Sequence, residues 1–209
     1  MESEDFTLAD KEIEEAARII KAGGIIIYPT ETVYGLGADI SNRIAILKVY
    51  GAKRRSLDNP LSVAVKDLDQ ADELVYTNSY ARKLYKAFLP GPLTMILKKK
   101  AILPKELTAG LDKIGIRIPD HPVALKLIEL AGPITATSAN VSGQPGPKTA
   151  HDAKKQLGGR VNFILDVGEC KIGEPSTVVD ISTDGKFEIL REGLISREEI
   201  ESALSKNQD

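Results

Sequence analysis

The 209-residue sequence has few of the side chains that bind metals or form covalent cross-links. Its single cysteine, Cys170, cannot form an intramolecular disulfide, and it excludes a metal site built from several cysteines. The two histidines, His121 and His151, lie far apart, which argues against a compact histidine-rich metal site. Any catalysis is therefore expected to rest on lysine, arginine and hydroxyl groups, together with Mg²⁺.

Long apolar runs are also missing, since none reaches the roughly 18 residues that a bilayer-spanning helix needs. The N-terminal segment is acidic and lacks the basic and apolar regions of a secretory signal peptide. With only one cysteine, the chain is suited to a reducing compartment. These absences predict a cytoplasmic protein.

The charges are almost balanced overall but unevenly distributed. Lysine and arginine number 28 and the acids 30, which excludes a globally basic nucleic-acid-binding protein. Residues 2–15 contain seven acids, whereas residues 43–55 and 81–105 contain none. Charge runs are usually solvated faces, but basic ones are also typical of surfaces that bind phosphates. The composition leaves both interpretations open.

The pattern of apolar residues indicates an α/β fold, because predicted strands alternate with helices. Three predicted strands crowd the last third of the chain, which favours a mixed sheet over a parallel one. No linker divides the sequence, so we predict a single domain over residues 8–205, with flanking helices on a twisted open sheet. The predicted strands are residues 25–28, 61–65, 93–97, 114–118, 134–137, 162–165, 177–181 and 187–190, and the predicted helices are 13–20, 42–50, 81–88, 123–130 and one from Ser196.

Five polar or glycine-rich and proline-rich segments lie just after or between predicted strands. Open α/β sheets bind their ligands at such positions. The segments are residues 28–37 (YPTETVYGLG), 53–55 (KRR) with 59–61 (NPL), 90–94 (PGPLT), 115–119 (GIRIP) and 135–140 (TATSAN).

Two of these segments carry arginines that point to an anionic ligand. If residues 53–55 are extended, Lys53 and Arg55 face the same way and can meet phosphate oxygens. Arg117 lies in a strand among apolar residues, so it must be paired or must face a ligand such as a carboxylate. Neither a Walker A nor a G-x-G-x-x-G motif is present, so a nucleotide would be bound by another scheme.

Together with residues 176–180 (STVVD), and in this order, the segments resemble the YrdC family of threonylcarbamoyl-AMP synthases over residues 16–191. The resemblance implies a YrdC-like twisted open α/β sheet with a concave positive surface. It also implies a nucleotidyltransferase that forms threonylcarbamoyl-AMP and pyrophosphate from L-threonine, bicarbonate and ATP. Mg²⁺ would enter with ATP, and no tightly bound cofactor is implied.

The resemblance also assigns the candidate site residues. Lys53 and Arg55 would be catalytic, and with Ser138 and Asn140 they form the KxR…SxN pattern of the family. The residues expected to bind ATP are Lys53, Arg55, Asn59, Ser138, Asn140 and Arg191, and those expected to bind threonine are Thr32, Arg117 and Ser176.

Three positions depart from the family pattern. Arg54 and Ser56 stand where many relatives have glycine and proline, and Ala64 stands where many have a histidine that contacts threonine. The length of the chain resembles the short form of the family, which has no additional C-terminal domain.

Two other functions remain open on the sequence. The acid-free windows are compatible with a module that binds double-stranded RNA or tRNA, and Ala64 with a paralogue that uses another carbamoyl acceptor. If the chain is the synthase, its downstream partner is the transferase that moves threonylcarbamoyl to tRNA.

Overall fold

The computed structural model describes residues 2–205, with side chains described for residues 10–205. The helices in this range are α1 (Glu2–Lys21), α2 (Arg43–Lys53), α3 (Leu68–Leu74), α4 (Ser79–Phe88), α5 (Lys105–Thr108), α6 (Pro122–Ala131), α7 (Ala150–Leu157) and α8 (Arg197–Ser205). The strands are β1 (Ile26–Tyr28), β2 (Gly35–Gly37), β3 (Ser62–Ala64), β4 (Leu93–Lys98), β5 (Lys113–Arg117), β6 (Ile134–Ser138), β7 (Phe163–Ile164), β8 (Thr177–Asp180) and β9 (Glu188–Arg191).

The strands form one open sheet in the order β7-β1-β2-β6-β3-β5-β4-β8-β9. Three neighbouring pairs are parallel, namely β1 with β7, β3 with β5 and β4 with β8. The other five pairs are antiparallel, including the β8–β9 hairpin near the C-terminus. The prediction of an α/β fold with an open mixed sheet is therefore confirmed. The extent of a single domain over residues 8–205 stays a prediction.

Alternate residues along each strand project to opposite faces of the sheet, and the two faces are covered differently. The larger core lies on one face, where α2, α3, α4, α5, α7 and α8 pack. On the other face α1 and α6 pack against each other and cover the side chains of Ile26, Tyr28, Ala64 and Ile134. Only part of this second face is covered by helices, and the uncovered part contains the candidate site.

All eight predicted strands and all five predicted helices are present, with shifted ends. Strand β2 was not predicted, because its sequence Gly-Leu-Gly has low strand propensity. The structure explains both glycines: a Cβ at Gly35 would lie 2.8 Å from the Tyr28 ring, and one at Gly37 would lie 3.1 Å from it. The missed helices α3, α5 and α7 have only four to eight residues.

Helix α2 has a well-defined beginning and end. The side chain of Asn42 accepts hydrogen bonds from the amides of Ile44 and Ala45, at 3.0 and 3.1 Å. The helix runs to Lys53 and ends at Arg54, whose φ of 51° and ψ of 40° are in the left-handed region. The sequence-based expectation of extended backbone at residues 53–55 is therefore wrong.

No helix within residues 2–205 is long and apolar enough to cross a membrane.

Candidate functional site

A cleft opens on the sheet face that α1 and α6 cover only in part. It contains about 750 Å³ of empty space, part of it open to solvent. Strands β3, β4, β6 and β8 contribute small side chains to its wall. These are Ser62, Thr94, Ala136, Ser138 and Val178.

Gly115 of β5 lies beside this group of small side chains. A Cβ at Gly115 would lie 2.5 Å from Ser62 Oγ and 3.0 Å from Thr94 Cγ2. Real Cβ atoms do not approach other atoms that closely, so glycine is needed for Ser62 and Thr94 to keep these positions. The wall of the cleft therefore depends on a residue that does not itself line it.

Three arginines, Arg55, Arg117 and Arg191, line the cleft and are here called the arginine rim. They reach it from the loop after α2, from the end of β5 and from the end of β9. All three lie far apart in the sequence. The fold therefore concentrates positive charge at one opening.

Arg55 and Arg191 are both anchored through one side of the guanidinium group. Arg55 donates from Nε to the Asn59 carbonyl at 3.1 Å and from Nη2 to the Pro60 carbonyl at 3.0 Å. Arg191 donates from Nε and Nη2 to the Ser176 carbonyl, at 3.0 and 2.7 Å. In both residues Nη1 makes no hydrogen bond to any residue in the described part of the chain. A planar group fixed in this way can offer its free side to an anion.

The charges of Arg55 and Arg191 are not neutralised by an acid: neither forms an ion pair within residues 10–205. Burial lowers the pKa of Arg55. Burial also lowers the pKa of Arg191, and the charges of Arg117 and Arg55 lower it further. Arg117 and Arg55 therefore lie close enough to Arg191 for their charges to oppose its own. A bound anion would relieve that repulsion.

Arg117 has a different environment, because it is paired with a buried acid. Its Nη2 lies 2.9 Å from Glu31 Oε1, and the two side chains are only 12% and 4% exposed. Nη2 also donates to Thr32 Oγ1. The second oxygen of Glu31 accepts from the Asp120 amide at 3.1 Å. The prediction that a buried Arg117 must be paired or face a ligand is met by the Glu31 pair. Arg117 also lines the cleft, and its role towards a ligand stays a prediction.

Ser176 links the arginine rim to the wall of the cleft. Its hydroxyl lies 2.9 Å from Thr94 Oγ1 and accepts from Arg191 Nη2 at 3.1 Å. The Ser176 carbonyl is the group that anchors Arg191. Ser176 therefore fixes Arg191 and offers a polar atom to the same cleft.

Lys53, Ser138 and Asn140 form a second polar group, here called the inner network. The Lys53 ammonium donates to the Ser138 carbonyl, to the Asn140 carbonyl at 2.9 Å and to Asn140 Oδ1 at 3.3 Å. The Ser138 hydroxyl donates to Asn140 Oδ1. Burial lowers the pKa of Lys53 to about 7, and the charge of Arg55 adds to this effect.

The structure separates the nine predicted site residues into two sets. Five line the cleft and four do not. Those that line it are Arg55, Arg117, Ser138, Ser176 and Arg191, and those that do not are Thr32, Lys53, Asn59 and Asn140.

Of the four outside the cleft, Thr32 is fully buried and touches Arg117, and the Asn59 side chain is exposed. Asn59 takes part through its carbonyl, which accepts from Arg55 and also from the Tyr50 hydroxyl at 2.9 Å. These two residues support arginines of the rim. Lys53 and Asn140 belong to the inner network.

Sequence reasoning missed Glu31, Ser62 and Thr94 as members of the site. Glu31 stands in the polar turn after β1, but its partner Arg117 is 86 positions away, so the sequence gives no sign of the pair. Thr94 belongs to residues 90–94 (PGPLT), a segment in which the sequence assigned no site residue. Thr94 lies near the start of β4 and lines the cleft.

Ala64, the departure from the family histidine, is 1% exposed and packs in the smaller core beside Tyr28. It is not among the residues that line the cleft. Burial raises the pKa of the neighbouring Tyr28, whose hydroxyl donates to the Thr135 carbonyl at 3.2 Å. The position therefore has a packing role in this chain.

The cleft has little to offer a metal ion directly. Within the described residues, no three His, Cys, Asp or Glu side chains are grouped so that they could hold one. The carboxylate of Glu31 is already engaged by Arg117 and by a backbone amide. A divalent cation at the cleft would have to be carried by a ligand's own oxygens.

The sequence model of the Sua5/YciO/YrdC family, which carries the description telomere recombination, matches residues 18–193. The threonylcarbamoyl-AMP synthase of Pyrococcus abyssi is 42% identical over 93% of this chain and 57% of its own length. That of Bacillus subtilis is 42% identical over 97% of this chain and 59% of its own length. The chain thus spans less than three fifths of these two relatives. A Methanocaldococcus jannaschii relative is 42% identical over 88% of this chain and 87% of its own length.

Solved structures agree with these sequence matches. Sua5 of P. abyssi, crystallised in complex with L-threonine, superposes with a TM-score of 0.90 at 41% identity, over 94% of this chain and 58% of that one. YciO of E. coli superposes with a TM-score of 0.82 at 27% identity, over 91% of this chain and 93% of that one. The structural similarity therefore extends over most of this chain.

Proposed function

The chain belongs to the Sua5/YciO/YrdC family, and we propose that it forms threonylcarbamoyl-AMP and pyrophosphate from L-threonine, bicarbonate and ATP. The arginine rim carries this proposal, because two of its guanidinium groups face a cleft and have no acidic partner within residues 10–205. Such a cleft suits a ligand with several negative charges. The relatives named threonylcarbamoyl-AMP synthase and the threonine-bound Sua5 structure support the choice of substrates.

In this proposal each member of the arginine rim binds a different part of the substrates. Arg117, held by Glu31 and Thr32, binds the threonine carboxylate, with Ser176 beside it. Arg55 and Arg191 bind phosphate oxygens of ATP through their free Nη1 groups. The Ser138 hydroxyl lines the same cleft and can contact the nucleotide. The residues assigned to threonine and those assigned to ATP thus meet in one cavity.

The proposed chemical step is an in-line nucleotidyl transfer. The threonine amine first reacts with carbon dioxide released from bicarbonate and loses a proton, so that amine and bicarbonate together give a carbamate and one water. A carbamate oxygen then forms a bond to the α-phosphorus of ATP, the bond from that phosphorus to the bridging oxygen breaks, and pyrophosphate leaves with the electron pair. The protein contributes positioning and neutralises the charge on the phosphates. No covalent intermediate with the protein is needed.

Mg²⁺ fits this proposal as part of the substrate. We propose that it enters on the oxygens of ATP, since Mg²⁺ is commonly bound by substrate phosphates and keeps several waters. When bound there it would neutralise phosphate charge alongside Arg55 and Arg191. Downstream, the product requires a transferase and tRNA, which we propose as partners.

The RNA-binding alternative receives less support from the structure. In the first acid-free window Arg43 pairs with Glu106 at 2.7 Å, and in the second the Lys83 ammonium donates to the Leu204 carbonyl at 2.6 Å. These two basic groups already have partners in the protein, so their own positions have a structural explanation.

Pyrophosphate release from ATP tests the proposed function. Purified protein with ATP, Mg²⁺, bicarbonate and L-threonine is expected to release pyrophosphate well above a control without threonine. Serine, valine and other amino acids are offered in parallel, because a paralogue with another acceptor would respond to one of them instead. No response to any amino acid would overturn the proposal.

A matched pair of variants ties the activity to the cleft. Arg55→Met removes a positive charge from the arginine rim and is expected to reduce activity by about 100-fold. Lys126→Met removes the same charge from the exposed side of α6, where Lys126 pairs only with exposed Glu129. It is expected to leave activity unchanged. Equal effects of the two variants would contradict the assignment of the cleft.

A further inference from the structure

Lys53 is one of the most deeply buried charged side chains in the described structure. It is the last residue of α2, it is 2% exposed, and it lies against residues 138–140. Arg55, two positions later, lines the cleft instead. The left-handed backbone at Arg54 lies between them and lets the side chains of Lys53 and Arg55 extend in different directions. Lys53 and Arg55 therefore do not act on one ligand from the same side.

The hydrogen bonds of Lys53 leave it nothing to offer a ligand. A lysine ammonium has three N–H donors and no acceptor. The Ser138 carbonyl, the Asn140 carbonyl and Asn140 Oδ1 provide three acceptors for those donors. If the ammonium turned towards a phosphate, the Asn140 carbonyl would lose its hydrogen bond, whereas the Ser138 carbonyl would keep the Asn140 amide and Asn140 Oδ1 would keep the Ser138 hydroxyl.

Asn140 is satisfied in the same way. Its Nδ2 donates to the carbonyls of Val141 and Gln144, at 3.0 and 2.6 Å. Its Oδ1 accepts from Lys53 and from the Ser138 hydroxyl. Asn140 is 6% exposed, so its amide faces protein on all sides. Every donor of this side chain is used within the chain.

The turn after β6 is tied to the end of α2 by backbone as well. The Ser142 amide donates to the Lys53 carbonyl at 2.8 Å. The Ala139 amide donates to the Tyr34 carbonyl at 2.8 Å, which fixes the turn to β2. Ser138, at the start of this turn, is the member that lines the cleft.

We propose that Lys53 and Asn140 are positioning residues, which fix the turn that carries Ser138, and that Arg55 and Arg191 contact the phosphates in their place. This inference rests on the proposed function, because it concerns how ATP is held. It divides the KxR…SxN pattern into a pair that builds the site, Lys53 and Asn140, and a pair that faces the ligand, Arg55 and Ser138.

A double-mutant cycle on ATP affinity separates the two roles. Lys53→Met and Asn140→Ala are each expected to weaken ATP binding by about tenfold, the range of one charge-assisted hydrogen bond. Because both act through the same turn, the double variant is expected to lose about tenfold and not a hundredfold. Lys53→Met combined with Arg55→Met is expected to multiply the two losses. If the double variant of Lys53→Met and Asn140→Ala lost about a hundredfold in ATP affinity, the inference would be overturned.

The salt dependence of binding provides an independent readout. Direct contacts between exposed charges are screened by salt, whereas a contact inside the protein is screened much less. The affinity ratio of wild type to Arg55→Met is expected to shrink as the salt concentration rises from about 50 mM to about 500 mM, because the Debye length shortens over this range. The ratio of wild type to Lys53→Met is expected to stay constant. A ratio for Lys53→Met that shrinks like that of Arg55→Met would overturn the inference.

Two controls keep the outcome clear. Should Lys53→Met not fold, Lys53→Gln takes its place, because a glutamine amide can still donate two hydrogen bonds to the turn. Should wild-type protein not bind ATP at all, the proposed function fails and the cycle has no starting value. If only the inference fails, wild-type protein binds ATP, but the affinity ratio of wild type to Lys53→Met shrinks with salt as that of Arg55→Met does.

Discussion

The inner network and the arginine rim lie side by side but differ in whether their hydrogen-bond donors already have acceptors within the protein. In the inner network every donor of Lys53 and Asn140 has an acceptor from the protein. In the arginine rim, Arg55 and Arg191 bind carbonyls through one side, and Nη1 has no partner among the side chains and backbone that the structure describes. Saturated donors stabilise a backbone shape, and free donors bind a ligand. Membership of the KxR…SxN pattern alone therefore does not show whether a residue stabilises the backbone or binds the ligand.

Arg117 is a member of the arginine rim, but like the inner network it is also bound to a buried group of the protein, Glu31. Its replacement is therefore expected to have the largest effect on stability and activity. Arg117→Gln leaves the carboxylate of Glu31, 4% exposed, without its charged partner. We expect the free energy of unfolding to fall by about 3–5 kcal/mol, as for other broken buried pairs, and threonine-dependent pyrophosphate release to fall by more than about 100-fold.

Urea unfolding and the activity assay measure the two effects of Arg117→Gln separately. The double variant Glu31→Gln with Arg117→Gln removes both charges and is expected to recover much of the stability but none of the activity. Full stability in the single variant would show that Glu31 does not depend on Arg117.

The inner network is expected to respond to pH through Lys53. Its pKa is about 7 in the folded protein, against an ordinary value of 10.5, because the side chain is buried. Between these values the unfolded chain holds a proton that the folded protein has released. The free energy of unfolding attributable to Lys53 therefore rises with pH across this window, by up to about 1.4 kcal/mol per pH unit, and is lost as pH falls towards 7.

Denaturant unfolding of wild type and Lys53→Met at pH 7, 8 and 9 measures this slope. The difference between the two proteins is expected to shift in favour of wild type as pH rises. Arg55→Met should keep most of the wild-type slope, since burial is the larger cause of the lowered Lys53 pKa and the charge of Arg55 the smaller one. Parallel profiles for wild type and Lys53→Met would contradict the lowered pKa.

The wall of the cleft can be changed without touching either polar region. Gly115→Ala places a Cβ 2.5 Å from Ser62 Oγ, and we expect a loss of about 1–3 kcal/mol in stability together with lower activity. Gly51→Ala in α2 is the matched control, because its Cβ would meet no atom within 4 Å. It is expected to stabilise the protein by up to about 1 kcal/mol. Thermal unfolding that ranks the two variants in the opposite order would exclude this explanation.

The smallest effect is expected at Arg54, which separates the directions of Lys53 and Arg55. Its φ of 51° lies in the left-handed region that glycine adopts more easily. Arg54→Gly is expected to raise the free energy of unfolding by about 1 kcal/mol and to leave activity unchanged, since Arg54 does not line the cleft. A drop in activity would show that the exposed Arg54 side chain takes part in binding.

Much of the fold could be predicted because the strands of this sheet have strong local signals. The Ile25–Ile27 run and the apolar neighbours of Arg117 predicted buried strands, and β1 and β5 are found there. Strand β2 could not be predicted, because its glycines are required by the ring of Tyr28, which only the folded sheet brings near.

The site was predictable in its parts but not in its contacts. Arg117 could be identified from the cost of burying an unpaired charge. The role of Lys53 could not, because its direction depends on where α2 ends and on the left-handed Arg54. Glu31 was hidden for another reason: the sequence does not show which distant side chain a buried acid will pair with.

The wall of the cleft is drawn from Ser62, Thr94, Ala136 and Val178, which belong to strands far apart in the chain. Such a site has no local precursor, because contacts between distant segments form only after long loops have closed. Before β4 pairs with β8 during folding, the cleft is incomplete even if the hairpins have formed, so a ligand could not bind in it. Ligand affinity thus reports on completion of the whole sheet, and a bound nucleotide would stabilise the sheet as one cooperative unit.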